Sequence, residues 1–139
     1  MSLADVLIKE LKEFSNEQGS VQHMLRADDP EFYRGFGEIY FSTINPSVIK
    51  GWHCHRDQIS VLSCVHGSVL LVLHHAGKFR EVQFGDGQRR LVLIPAGIDY
   101  AWQNRGPEPA ILANCSTHVY DPAKNEKRAL DDIHFNWPT

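Results

Sequence analysis

Two histidines one residue apart, His53 and His55, lie in the run richest in reactive side chains, Lys50-Gly51-Trp52-His53-Cys54-His55-Arg56-Asp57-Gln58. Successive side chains of an extended strand alternate faces, so the two imidazoles project together while Trp52 and Cys54 project oppositely. Paired imidazoles offer two chemistries. A neutral ring ligates a transition metal, and with an ordinary pKa of about 6.5 it also gains or loses a proton near neutral pH. Two imidazoles alone hold a metal weakly, because affinity depends on ligand number and preset geometry. His74, His75 and His118 could enlarge the set, but no ligand spacing links them to the pair. His74 and His75 border a turn and are expected to be solvated. Cys54, Cys64 and Cys115 are odd in number and form no C-x-x-C, which predicts reduced thiols packed in a core.

The elements that must present this strand follow from hydrophobic periodicity. Leu3, Val6, Leu7, Leu11 and Phe14 recur at spacings of three and four, with Ser2 and Asp5 placed as a capping box, so an amphipathic helix is expected over 3–18. The period then changes. Residues 36–42, 48–55, 59–66, 68–74, 79–84, 91–94, 101–104 and 110–116 are short runs rich in β-branched and aromatic residues. Turn residues separate them, among them Asn45-Pro46, Gly67, Ala76-Gly77, Gly85-Asp86-Gly87 and Pro95-Ala96-Gly97. About eight closely spaced strands predict a sandwich or small barrel. The charged tail from Asp121 onward reads as a covering segment.

Composition bounds the class. A chain of 139 residues fits one core, and 42% hydrophobic with 22% charged residues excludes disordered and fibrous classes. A formal charge of −3 without a basic cluster argues against nucleic acid as a partner. No apolar run approaches the roughly 20 residues of a spanning helix, and the N-terminus alternates charge where a signal peptide would be apolar. No membrane partner and a cytoplasmic location are therefore expected.

Gly51-x-His53-x-His55 with Gly67 downstream resembles the first motif of the cupin superfamily, and Pro95-x-Gly97-x-x-Tyr100-x-x-x-Asn104 resembles the second, with Tyr100 where His is usual. The likeness sharpens through Phe36-Gly37-Glu38-Ile39-Tyr40-Phe41, Val48 to His53, Leu93 to Gly97, Tyr120-Asp121-Pro122 and Trp137-Pro138. Their order is similar to the landmarks of dTDP-4-dehydrorhamnose 3,5-epimerases and their short relatives. The resemblance implies an all-β fold, the double-stranded β-helix or cupin jelly roll, over 21–139, to which the periodicity adds one N-terminal amphipathic helix within 1–20. It also implies a homodimer.

That family epimerises a nucleotide-linked 4-keto-6-deoxyhexose without metal or organic cofactor, by removing the proton α to the C4 ketone. By resemblance His53 is the base and His55 assists. Arg34, Glu38, Lys50, Asn114 and His118 are expected to contact substrate, with Arg34 and Lys50 at the diphosphate or the developing enolate. Alignment on Tyr120-Asp121-Pro122 puts Asn114 at the family's tyrosine acid, so Tyr100 or Tyr40 is expected to take that role. The carboxylate that orients the base in relatives comes from a segment beyond the Trp-Pro landmark, and the sequence given offers no counterpart.

Sugar 3,4-ketoisomerases share the paired histidines and form a second expectation, favoured by His55. A non-catalytic cupin binding a nucleotide sugar, favoured by Asn114, and a metal-dependent cupin are the others.

Overall fold

A computed structural model describes all residues, Met1–Thr139. In chain order the strands are β1 (Leu7–Glu10), β2 (Glu13–Asn16), β3 (Gly19–Gln22), β4 (Glu38–Ile44), β5 (Ile49–His55) and β6 (Ser60–His66). They continue as β7 (Ser68–His75), β8 (Lys78–Gly85), β9 (Arg90–Ile94), β10 (Asp99–Asn104), β11 (Ala110–Ser116) and β12 (Asn125–Lys127). One five-stranded antiparallel sheet runs β1-β9-β6-β11-β4, a second runs β12-β5-β10-β7-β8, and β2 and β3 form a separate hairpin. This is the expected all-β sandwich, and every run singled out from β4 onward becomes a strand.

The expected N-terminal helix does not form. Only a single 3-10 turn, Leu3–Asp5, is present, and the capping box is real: Ala4 N–H donates to the Ser2 hydroxyl and Ser2 N–H to the Asp5 carboxylate. Residues 7–10 instead pair with β9, Leu7 opposite Leu93 and Glu10 opposite Arg90. The physical reason is that this segment is buried on both faces. Val6 belongs to the inner core with Leu3 and Ile8 packed on it, whereas Leu7 and Leu11 cover the outer face of the same sheet. Adjacent apolar residues Val6, Leu7 and Ile8 therefore serve two faces with period two, and a helical stripe had no use for Ile8.

Between the sheets lies a core that includes Val6, Ile44, Leu62, Leu71, Leu73, Phe84, Ile98 and Trp102. The tail covers the outer face of the second sheet as expected: Leu130, Ile133, Phe135 and Trp137 pack on Trp52, Leu70, Val72 and Ala101. Trp52 is fully buried there, its indole N–H donating to the Leu130 carbonyl, and Trp52 and Arg128 exchange two backbone hydrogen bonds. Cys54 and Cys64 are buried and Cys115 half-buried, all as free thiols. His74 is not solvated: its Nδ1 lies 2.8 Å from the Asp99 carboxylate, and its ring packs against Phe79. No helix is long and apolar enough to cross a membrane.

Candidate active site

One end of the sandwich is left open as a cavity of about 440 Å³. Its floor is Leu62, Trp102 and Leu112, side chains that also belong to the core, so the rigid interior sets its depth.

The wall made by β5 and β10 carries Lys50, His53, His55 and Tyr100. Tyr100 pairs with His53 and Trp102 with Lys50, so three residues of β10 span four of β5. That bulge adds one residue between Lys50 and His53, and it lets both face inward despite their odd spacing. Gly51 is needed at the bulge, because a Cβ there would overlap the Ala101 side chain. The Tyr100 ring sits between the imidazoles, with centroids 5.5 Å from His53 and 5.9 Å from His55, and its hydroxyl is 2.8 Å from His55 Nε2. Lys50 Nζ donates to the Ser42 hydroxyl and the Thr43 carbonyl, at 3.1 and 3.2 Å, which ties the two sheets together at the rim.

The opposite wall, from β4 and β11, carries Glu38, Tyr40, Ser42 and Asn114. Asn114 Nδ2 donates to the Tyr40 hydroxyl at 2.9 Å. The phenol oxygen is thereby held in place while its own proton stays free to point into the cavity. Glu38 Oε1 accepts from the Tyr120 backbone N–H at 2.6 Å and anchors the segment that brings Tyr120 to the rim.

The electrostatics separate these groups. Burial, reinforced by the positive charges of Lys127 and Lys50 and by His55, pulls His53 down to about 4, so it is neutral at pH 7. Burial also lowers His55, opposed by the Asp57 carboxylate. Both phenols move the other way: burial raises Tyr100 strongly, and burial with the Glu38 charge raises Tyr40. The cavity thus holds two neutral acceptors on one wall and a protonated phenol on each. No three His, Cys, Asp or Glu side chains converge in a group able to hold a metal ion.

Of the expected residues, His53, His55, Tyr100, Tyr40, Glu38, Lys50 and Asn114 meet in this one cavity. His118 lines a smaller adjoining cleft, which His55 shares. Arg34 stands apart, exposed, with Nε donating to the Glu31 carbonyl at 2.8 Å. Sequence reasoning did not single out Tyr120, Ser42 or Asn125 as lining residues. Tyr120 was visible as the first residue of a landmark, but nothing local marks Asn125, whose three-residue strand exists only by pairing with β5.

The family described as FdtA: WxcM-like, C-terminal, matches residues 4–129. Among its relatives, the spore coat polysaccharide biosynthesis protein SpsL of Bacillus subtilis is 28% identical over 145 residues, covering 96% of this chain and 95% of that one. The probable low-salt glycan biosynthesis epimerase Agl13 of Haloferax volcanii is 23% identical over 128 residues, with 86% and 82% covered. A dTDP sugar isomerase from Desulfovibrio desulfuricans G20 superposes with a TM-score of 0.89 at 30% identity, over 95% of this chain and 90% of that one.

Proposed function

The chain belongs to the FdtA: WxcM-like, C-terminal family, and from that membership together with the cavity we propose a metal-independent epimerase or isomerase of a dTDP-4-keto-6-deoxyhexose. Its setting would be the building of surface polysaccharide, the process named for SpsL. The observation that carries the reading is the pair of neutral imidazoles on one wall facing a protonated phenol on the other.

A proton α to a ketone leaves when a base removes it and the electron pair is delocalised onto the carbonyl oxygen. His53, neutral and half-buried, is the proposed base, and a positioned base of this kind contributes roughly 10²–10⁴-fold. The Lys50 ammonium at the rim would stabilise the enolate oxygen or the substrate diphosphate. Tyr40 is the proposed acid. It stands on the wall opposite His53 and is held by Asn114, so returning a proton from there inverts the carbon. Asn114 thus serves the acid by positioning it.

One observation favours 3,4-ketoisomerisation as a second reading. His53, Tyr100 and His55 lie side by side on a single wall, an arrangement suited to moving a proton between C3 and the adjacent oxygen on one face.

The deciding experiment incubates the protein with dTDP-4-keto-6-deoxyglucose in deuterated water and follows C3 and C5 by NMR. Enzyme-dependent deuterium at the carbon that inverts supports epimerisation, and a product with the ketone at C3 supports the second reading. Binding without exchange or product leaves the non-catalytic cupin, and a stoichiometric transition metal in protein purified without added metal would overturn metal independence. His53→Ala is expected to reduce exchange at least about 100-fold; an unchanged rate removes His53 as base.

A further inference from the structure

The cleft beside the main cavity has a volume of about 130 Å³ and is lined by Asp57, Gln58, His118, Asp121 and Lys124, with Val119 as its one apolar residue. His55 lines both spaces. Only 9% of the residue is exposed, and its Nε2 edge is engaged with Tyr100 on the cavity side. A buried imidazole that separates a reaction chamber from a small polar cleft is placed to pass protons between them.

We propose that His55 is the proton port of this site: a proton held at the Tyr100–His55 contact exchanges with water through the cleft, whose wall beside His55 carries the Asp57 carboxylate. The inference rests on the proton-abstraction reading above and extends it to the fate of the proton. The electron pair of the broken C–H bond stays with the substrate as enolate, the proton taken by His53 passes by way of the neighbouring Tyr100–His55 pair to water in the cleft, and Tyr40 delivers its replacement and regains a proton from water. Nothing is oxidised or reduced.

The surrounding charges support this direction of flow. Burial disfavours a cation at both rings, Lys127 and Lys50 add to this at His53 on the chamber side, and the Asp57 carboxylate opposes it at His55. The titratable and charged groups around His55 are His53 and Arg56 near it in the chain, Tyr100 on β10, Glu126 and Lys127 on β12, which pairs alongside β5, Asp57 in the following loop, and His118, Asp121 and Lys124 from the segment after β11. Most of these are already committed. Asp121 accepts from the Ala123 N–H, His118 Nδ1 is 2.9 Å from the Thr117 hydroxyl, and Lys124 Nζ is 2.8 Å from Asp57. Lys124 therefore tempers the charge that Asp57 presents, and the two residues should act with opposite sign.

Two measurements test the proposal on the full chain. The first follows the His55 ring by NMR across pH without any sugar. Asp57→Asn should lower its titration point, and Lys124→Gln should raise it; identical curves in all three proteins overturn the Asp57 coupling. The second uses dTDP-4-keto-6-deoxyglucose deuterated at C3 in ordinary water. The wild type should release most of the label to solvent, and with Asp57→Asn the substrate recovered at partial conversion should keep several-fold more of it, because His53 then returns the deuteron it has taken. Unchanged retention in a variant with an unaltered melting temperature overturns the port. Absence of both turnover and exchange in the wild type sinks the proton-abstraction reading instead, while the titration still decides the coupling.

Discussion

His53 couples function to stability through burial. Its folded value near 4 lies well below the roughly 6.5 of an unfolded histidine, so between those values the unfolded chain binds more protons than the folded one. The contribution of His53 to stability is therefore complete above about pH 6.5 and is lost as the pH falls through the window toward 4. Its slope is up to about 1.4 kcal/mol per pH unit. Urea denaturation at pH 7 and pH 5 should show the wild type losing more stability than His53→Asn across this interval. An equal loss in both would mean that the ring is solvated. The same burial that makes the imidazole a poor cation keeps it unprotonated and available as a base.

Close backbone approach within β5 and two-faced burial at the N-terminus set the behaviour of the elements. Gly51 lets β5 bulge against β10 with no side chain between them, so Gly51→Ala should lose about 1–3 kcal/mol by overpacking and should move His53 away from Tyr100. Adding Ala101→Gly should restore part of that stability, read from urea midpoints, since the Ala101 side chain is the nearest obstruction. At the other end Val6 is 2% exposed within the inner core. Val6→Ala should cost about 2 kcal/mol, the transfer of two methyl-sized groups plus a small cavity. A loss near zero, read from urea midpoints, would put Val6 outside the core. The strand signal there was masked because apolar residues on both faces satisfy a helical spacing by coincidence.

For the molecule as a whole, β4 is an open sheet edge with Ile39 50% and Phe41 66% exposed on its outer face. Unpaired edges with exposed apolar side chains invite pairing. A second copy of the chain is the proposed occupant, in keeping with the homodimer that the resemblance implies. Light scattering should give a two-chain mass for the wild type and a one-chain mass for Phe41→Glu; a one-chain mass for the wild type discards the homodimer.

Residue type and alternation alone determined much of this protein. The strands from β4 to β11, the common face of His53 and His55, the opposite placement of Trp52 and the covering role of the tail all follow from periods and turn residues, which act over a few positions. Family landmarks added Tyr40, Glu38, Lys50, Asn114 and Tyr100 to one site. Only the tertiary structure decided that Asn114 holds Tyr40 across the cavity from the imidazoles, that Lys50 reaches inward through a bulge, that Arg34 stays outside, and that residues 7–10 are a strand. Each of those depends on a partner distant in sequence. A backbone hydrogen bond or a buried face exists only once the partner arrives, and no local pattern encodes that arrival.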